Sequence, residues 1–505
     1  MLNASTKSLA REVKSTPALS AASYETLVQQ LYVAYFGRPA DPTGLADFEA
    51  ALLDAGAPTD IGLVYPAYQT NTKVKALIDS FGTSAESKAL YNGATNNAFV
   101  TAIYSNILSR QPEQQGLSFW AGALASGSLT PGDAALQIMA GALENTTAQG
   151  LLDAQLVNNR IAAASAFTSM VSAQGLVNAY AGAGPAWVAR NMLSQVTANT
   201  NASSFQFSIQ STVSLISEEN NELTALNAFR TSQGLTAMQQ NASLYQAAAA
   251  HAQYMASNNV FSHEETSGLP GFTGVDPGNR AEYFGYPDFN VSEEAEYWTG
   301  ANGGYAGQGS LSVSNLVATV YHRAGLLYQY QTDVGVGLAV TADGSTSYAT
   351  IESGYQNSVL TGTSGSGYTN LLPWPTTVTG TYFGTYPTAG QANVGLHMMP
   401  EIPSPFPGFS NGQFSTNTGY PISVAGPTNS VTTVSTFTVF QAGATTPLQT
   451  TLFTSADPNF GGNSNFAFIV PSQPLLPNTT YNVIFVGTSN GTPVSRNWSF
   501  TTGTD

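Results

Sequence analysis

The chain has 505 residues, of which 14 are Lys or Arg and 30 are Asp or Glu, for a net charge of −16, and it has no cysteine. Charged residues make up 9% against roughly 25% in an average soluble domain. This excludes a nucleic-acid surface built from clustered cations, and the missing cysteine excludes disulfides and thiolate metal sites. Apolar residues at 42% and aromatics at 11% are enough for packed cores rather than disorder. The length implies three or four domains at roughly 100–200 residues each. The chain opens MLNASTKSLAREVKSTPALSAAS, with no apolar run of the about 7–15 residues that a cleaved secretory signal needs. Residues 1–22 read as a flexible or docked tail. No window approaches the roughly 18 apolar residues of a membrane span. A cytosolic protein and export without a cleaved signal both remain open, and the absent cysteine and few lysines suit export.

Residues 23–217 read as helical and contain an internal repeat, which is sought first because it decides the architecture. Tyr32, Arg38, Gly44, Leu45 and Phe48 recur 72 residues later as Tyr104, Arg110, Gly116, Leu117 and Trp120, and Asp41 is matched by Glu113. Each unit reads as an amphipathic helix (LVQQLYVAYFGR, then FVTAIYSNILSR), a turn, and a second helix starting at Leu45 or Leu117. Pro39 and Pro42 break the first helix, and Gly44 permits a left-handed turn. The turn acid sits where the second helix's dipole favours it, and Arg38 and Arg110 are expected to bridge to that carboxylate. The pattern Arg-x-x-Asp-x-x-Gly-Leu-x-x-aromatic resembles a helical domain of unknown function found in bacterial calcium-repeat exoproteins and surface-layer proteins, over roughly residues 23–170.

From Glu218 the pattern changes. EENNELTALNAFRTSQGL and NASLYQAAAAHAQYMASNN predict two helices, with Asn221 or Asn241 as caps. A Gly- and Pro-rich loop over 266–279, a short helix, a second glycine-rich loop over 300–310 and one helix through LSVSNLVATVYHR follow. DVGVGLAVTA and TSYATIESGY alternate as strands. Beyond about residue 360 the helical pattern vanishes, and TGTYFGTYPTAGQANVGLH predicts strand, turn, strand. After Tyr420 short strands recur, and Asn490-Gly491 between the last two is a hairpin signal. This spacing predicts a β-sandwich. The ending GTPVSRNWSFTTG resembles bacterial immunoglobulin-like modules, which implies a spacer or assembly unit.

The four histidines are His251, His263, His322 and His397, and three fall in the middle segment. There, LNAFRTSQGLTAMQQNASLYQAAAAHAQYMASNNVFSH, PGNRAEYFGYPDFNVSEE and YHRAGLLYQYQTDVGVGLA, in that order, resemble the CAP superfamily of cysteine-rich secretory, antigen-5 and pathogenesis-related proteins, in its disulfide-free bacterial branch. The resemblance implies a cleft with two histidines and two acids. Its histidines fall on His263 and His322, and its first acid on Glu293, with Glu294 as the adjacent alternative. The helix before His322 reads SVSNLVATV and has no carboxylate; Ser314 and Asn315 are the nearest polar residues.

Three readings of this set stay open. Two neutral imidazoles and a carboxylate (His263, His322, Glu293) suit a divalent metal such as Zn²⁺. A His–Glu pair suits general acid–base catalysis. A buried His–Glu–His network can simply lock a cleft. Ser262 and Ser292 neighbour the site, but neither lies in a Gly-x-Ser-x-Gly elbow. His251 reads as structural and His397 as unrelated to the cleft. Arg280 and Arg323 are expected to pair with nearby acids, Glu282 and Asp333 being available. Some members of the superfamily bind sterols or acyl chains, and Phe272, Tyr283, Phe284, Tyr286, Phe289, Tyr297 and Trp298 offer a groove lining. Asp457 and Asn459, in SADPNFGGNSN, offer a Ca²⁺ loop or a plain surface turn.

The expected architecture is multidomain: a tail (1–22), an all-α helical repeat region (23–217), a CAP-like α-β-α sandwich (218–378) and an Ig-like β-sandwich (379–505). The expected function is an exported bacterial cell-surface structural protein that self-assembles as a surface layer, filament or matrix, more a binding or scaffolding protein than an enzyme. The alternative is a secreted CAP-type metal-, lipid- or glycan-binding protein or hydrolase. Self-association into a homo-oligomer or polymer is the expected partnership. The end of the chain that holds all five lysines, the last being Lys88, is the part suited to an anionic glycan or lipopolysaccharide surface. Nucleic acid is not an expected partner.

Overall fold

A computed structural model describes residues 19–91, 93–287, 290–300, 304–355, 382–406, 418–460 and 463–504. Residues 1–18 of the tail, Phe289 of the aromatic set and the whole of 356–381 lie outside them. The described chain divides into two units. One holds the residues up to 181 and 186–212, the other 182–185 and those from 213 onwards.

The first unit is helical. Its helices are α1 (Glu25–Phe36), α2 (Pro42–Asp54), α3 (Ile61–Thr70), α4 (Thr72–Thr83), α5 (Ala85–Tyr91), α6 (Asn96–Leu108), α7 (Gln114–Ala125), α8 (Pro131–Glu144), α9 (Ala148–Ala173) and α10 (Ala183–Ser194), which crosses the division. The repeat is real at the level of backbone. In both copies the first helix ends in a left-handed residue, Gly37 (φ 66°) and Ser109 (φ 53°), 72 positions apart. This corrects the expectation for Gly44, which is helical. Its role is space, because a Cβ there would collide with the Tyr32 hydroxyl. The second helix also starts three residues earlier than expected, with Pro42 at its first position, where a missing N–H costs nothing.

The turn acids behave differently from each other and from the expected bridges. Asp41 caps α2 by accepting from Gly44 N at 2.7 Å, whereas Glu113 makes no side-chain cap. Arg38 lies 3.6 Å from Asp41 but bonds Glu86 more closely, at 2.6 Å, and Arg110 pairs with Asp153 at 2.7 Å, not with Glu113.

The second unit begins with α11 (Ala202–Ser232), a single helix that runs through the division and through Glu218. Asn221 is therefore inside a helix, and Asn241 is the true cap, accepting from Ser243 N and Leu244 N. The central part then follows as β1 (Gln239–Gln240), α12 (Ala242–Asn258), α13 (Pro277–Tyr283), β2 (Ser292–Thr299), α14 (Gln308–Val317), α15 (Tyr321–Leu326), β3 (Asp333–Val340) and β4 (Thr346–Gly354). Its sheet has the order β1-β3-β4-β2, antiparallel except for β1 against β3.

Both faces of this sheet are covered, and β4 is buried along its whole length. On one face α12 lies so close that a Cβ on Gly335 or Gly337 would enter the backbone of Leu244 or Ala248. The other face meets α14 and α15: Asn315 bonds Glu296, and Gly325 lies against Glu294. The result is an α-β-α sandwich. Strand β2 was not foreseen, and the helix expected through LSVSNLVATVYHR is two helices, with a break at 318–320.

The C-terminal part is β5 (Gly384–Tyr386), β6 (Ile422–Ala425), β7 (Thr432–Gln441), β8 (Thr450–Phe453), β9 (Phe466–Pro471), β10 (Thr480–Ser489) and β11 (Thr492–Thr501). They form two antiparallel sheets, β11-β10-β7 and β5-β6-β9-β8. The sheets share one core, in which Ile422, Val424 and Ile469 of one meet Val439, Val483, Phe485 and Phe500 of the other. The Asn490-Gly491 hairpin is present, with both residues left-handed and Ser489 paired to Thr492. Among the described residues of the expected strand-turn-strand passage, Gly384–Tyr386 is a strand, and Val394 and His397 make single bridges, to Thr502 and Gly419.

Candidate functional site

The edge strand β2 places two consecutive glutamates on opposite faces of the central sheet. Glu293 stands opposite Glu352 of β4, and Glu294 opposite Ile351. On the α12 face Glu293 is almost fully buried. Its Oε1 accepts from His263 Nδ1 at 2.8 Å, and its Oε2 accepts from Arg280 Nη2 at 2.5 Å. Arg280, itself without exposure, also donates to Glu352 at 3.1 Å and to the His263 carbonyl at 2.9 Å. His251 sits behind, with both ring nitrogens facing acceptors: Glu265 at 3.0 Å and the Ser262 carbonyl at 2.9 Å.

Burial alone would push the Glu293 carboxyl up, but His251, Arg280 and the His263 hydrogen bond hold it well below the usual carboxylate range. The bond to Glu293 in turn raises His263. Because Nδ1 is committed to Glu293, the other ring nitrogen is the one left for the cleft, and the His263 side chain is 48% exposed.

The cleft is a cavity of about 280 Å³, lined by His263 and Glu294, by Tyr321, His322, Gly325 and Tyr328 around α15, and by Ile402, Asn459, Phe460 and Asn463 from the C-terminal part. His263 and His322 are thus brought together, as expected. The carboxylate that faces the cavity with them is Glu294, while Glu293 supports His263 from behind. The expected ligand set of His263, His322 and Glu293 is not assembled: both Glu293 oxygens are engaged, and no group of three or more His, Asp or Glu among the described residues is arranged to hold a metal ion. The Asp457 loop is likewise committed, since Asp457 accepts from Tyr321 OH at 2.6 Å and from Asn459 N at 3.0 Å.

An acid absent from the helix before His322 arrives from elsewhere. Glu401 accepts from the N–H groups of Val320 and Tyr321, each at 2.8 Å, and its Oε2 lies 3.5 Å from His322 Nδ1. This carboxylate caps α15 by satisfying N–H groups freed at the break before Tyr321. Among the described residues Arg323 pairs with no acid. It donates to the carbonyls of Val317 (2.5 Å) and Pro421 (2.8 Å) and lies over the rings of Tyr386, Tyr420 and Phe468. Arg280 does pair with acids, but with Glu293 and Glu352 rather than Glu282.

Ser262 and Ser292 do not line the cavity; they bond Glu264 N and Gln331 Nε2. The expected aromatic groove is dispersed. Tyr286 is buried against Asp333, Tyr283 is two-thirds exposed, and Tyr297 packs on Phe261 and Tyr348.

Sequence reasoning missed Glu265, Glu352, Glu401, Tyr321, Tyr328, Phe460 and Asn463. Asn459 stands out in the sequence only as part of a Ca²⁺ loop or surface turn. The remote acids carried no local signal, because each reaches the site through tertiary contact.

Residues 223–353 match the Cysteine-rich secretory protein family (CAP), and residues 78–148 match a domain of unknown function (DUF4214). The chain therefore carries a CAP domain, and the second copy of the helical repeat falls within the DUF4214 match. Similar solved structures include an extracellular protein containing an SCP domain from Bacillus anthracis str. Ames, 19% identical over 28% of this chain and 41% of that one, with a TM-score of 0.23. Another is an outer surface protein from Borrelia burgdorferi, 13% identical over 28% of this chain and 94% of that one, with a TM-score of 0.22. The chain thus spans about two-fifths of the length of the first of these. No curated protein matches.

Proposed function

We propose that this protein acts outside the cell by binding a small molecule in the cleft of its CAP domain. The observation that carries this reading is the convergence of His263, Glu294 and His322 on one cavity whose far wall is Asn459, Phe460 and Asn463. Concave sites with aromatic walls and a few convergent polar groups are where small ligands are held. The match of residues 223–353 to a secretory protein family supports an exported protein. The C-terminal sheets are read as an Ig-like module whose loops supply one wall of the cleft.

The test is a ligand-observed NMR screen of the full chain against neutral, anionic and cationic fragments. Hits are expected in wild type and lost in the His322→Ala, Phe460→Ala double variant. No hit in any charge class, or hits that survive both substitutions, would overturn the reading.

Self-assembly at a cell surface is the second reading, and β11 favours it, since it is an edge strand of the C-terminal part with many exposed positions, where another strand can pair. Light scattering over a concentration series would check it. A mass fixed at one chain across the series counts against assembly.

A further inference from the structure

Glu294 enters the cleft without a partner. It is 9% exposed and lines the cavity, yet among the described residues no group donates a hydrogen bond to it and no cation pairs with it. The cavity lining contains no Lys or Arg. A second carboxylate, Glu401, stands behind His322, 3.5 Å from its Nδ1. The charge of His263 is compensated from behind by Glu293. Three aromatic side chains, Tyr321, Tyr328 and Phe460, share the walls with the amides of Asn459 and Asn463.

Each class of ligand meets this lining differently. An anion would find no Lys or Arg in the lining to receive it, and Glu401 stands behind His322. A neutral apolar ligand would leave a buried carboxyl unsatisfied. An ammonium group supplies the missing charge, and aromatic rings attract such a cation. Burial, with Glu401 and Glu293 nearby, pushes the Glu294 carboxyl well above the usual range, which is the state a bound cation would relieve.

We propose that the ligand of this cleft is a small organic cation whose ammonium group is held by Glu294 and walled by Tyr321, Tyr328 and Phe460. The proposal rests on the reading of the cleft as a small-molecule site. It also gives the C-terminal part a defined role, because Phe460, Asn459 and Glu401 all come from it.

The experiment titrates the full chain by calorimetry with choline and ethanolamine, and with 3,3-dimethylbutan-1-ol as the neutral isostere of choline. At least one cation is expected to bind about tenfold or more tighter than the neutral isostere. Glu294→Gln, which keeps shape and removes charge, is expected to abolish that difference. Neutral isostere binding as tight as that of both cations, or cation binding unchanged in Glu294→Gln, would overturn the proposal and leave the small-molecule reading standing. No binding by any of the three, with no hit in the fragment screen, would overturn both. Phosphatidylcholine vesicles run alongside separate two sources of the same chemistry. Vesicle binding that depends on Glu294 assigns the ammonium to a lipid headgroup, and binding of the free cation alone assigns it to a solute.

Discussion

Glu293 and Glu294 differ by one position and by everything that follows from the strand's two-residue period. Glu293 faces α12, is bonded by His263 and Arg280, and is held low; Glu294 faces the cleft, has no donor among the described residues and is pushed up by burial. The same substitution should therefore act in opposite directions. Glu293→Gln leaves Arg280 with one carboxylate, buried, and should cost about 3–5 kcal/mol, as breaking a buried ion pair does. Glu294→Gln replaces a carboxyl whose ionised form burial disfavours with a neutral group of the same shape, and should be neutral or stabilising at pH 7.5. Urea unfolding of both variants checks this, and equal destabilisation would refute the assignment of Glu294 to an unpartnered face. The histidine adds a pH signature. His263 is raised by its bond to Glu293, so the stability it contributes is complete below the ordinary imidazole value of about 6.5. That contribution fades as pH rises through the raised value. In Glu293→Gln the NMR titration midpoint of His263 should move down. Gly325 is the third sensitive position, since a Cβ there would overlap Glu294 Oε1. The carboxyl end can swing where backbone cannot, so Gly325→Ala should impair ligand binding more than folding.

At the scale of elements the central sandwich depends on how closely α12 lies on β3. Gly335 and Gly337, alternate residues on one face, let the helix backbone approach, and the atoms a Cβ would strike are backbone atoms of Leu244, Tyr245, Ala248 and Ala249. Backbone cannot rotate aside, so Gly335→Ala should destabilise by about 1–3 kcal/mol or more, as overpacking does. A wild-type unfolding midpoint in that variant would show that the helix can shift. The same elements show what sequence could and could not disclose. The helices of the repeat, α12, β3 and β4 follow from apolar periodicity, which is local. Strand β2 was hidden because its inward positions include Glu293, Glu294 and Glu296, which no apolar pattern marks. The break between α14 and α15 was hidden because the carboxylate that caps α15 lies 80 residues further on. Both cleft histidines were legible, since they stand in recognisable local passages. The walls of the cleft were not, because Ile402, Asn459, Phe460 and Asn463 belong to a part of the chain that local pattern reads as a separate sandwich. Arg323 failed for a related reason: an arginine has many partners besides acids, and here three rings and two carbonyls serve.

For the whole molecule, the scarcity of cations that opens the sequence has a thermodynamic consequence in the second unit. Glu219, Glu222, Glu294, Glu296 and Glu352 are all raised, each mainly by burial, Glu219 and Glu296 to about 8. Partners exist, but most are neutral: Tyr245 and Leu338 N for Glu219, Ser312 for Glu222, Asn315 for Glu296. A carboxyl whose folded value lies above its ordinary one binds more protons in the native state than in the unfolded chain. Stability then falls as pH rises between the two values. Glu219 and Glu296 act over the range from about 4.5, the ordinary glutamate value, up to about 8, and Glu222, Glu294 and Glu352 act in the same direction. His263 adds to the same trend at its upper end. Glu293 opposes it at the acid end, because its contribution is lost as pH falls through its depressed value. Asp54, Asp79 and Asp343 also oppose it, but at surface positions where solvent screens them. The net charge of −16 at pH 7 adds self-repulsion that grows with pH. The chain should therefore melt at a higher temperature at pH 5 than at pH 8, the reverse of a protein held by surface ion pairs. Calorimetric scans at the two values decide it, with Glu222→Gln expected to flatten the dependence by removing a fully buried carboxyl. A Tm that climbs from pH 5 to pH 8 would mean that these carboxylates are charged and compensated in the native state, and the acidic interior described for the second unit would have to be abandoned.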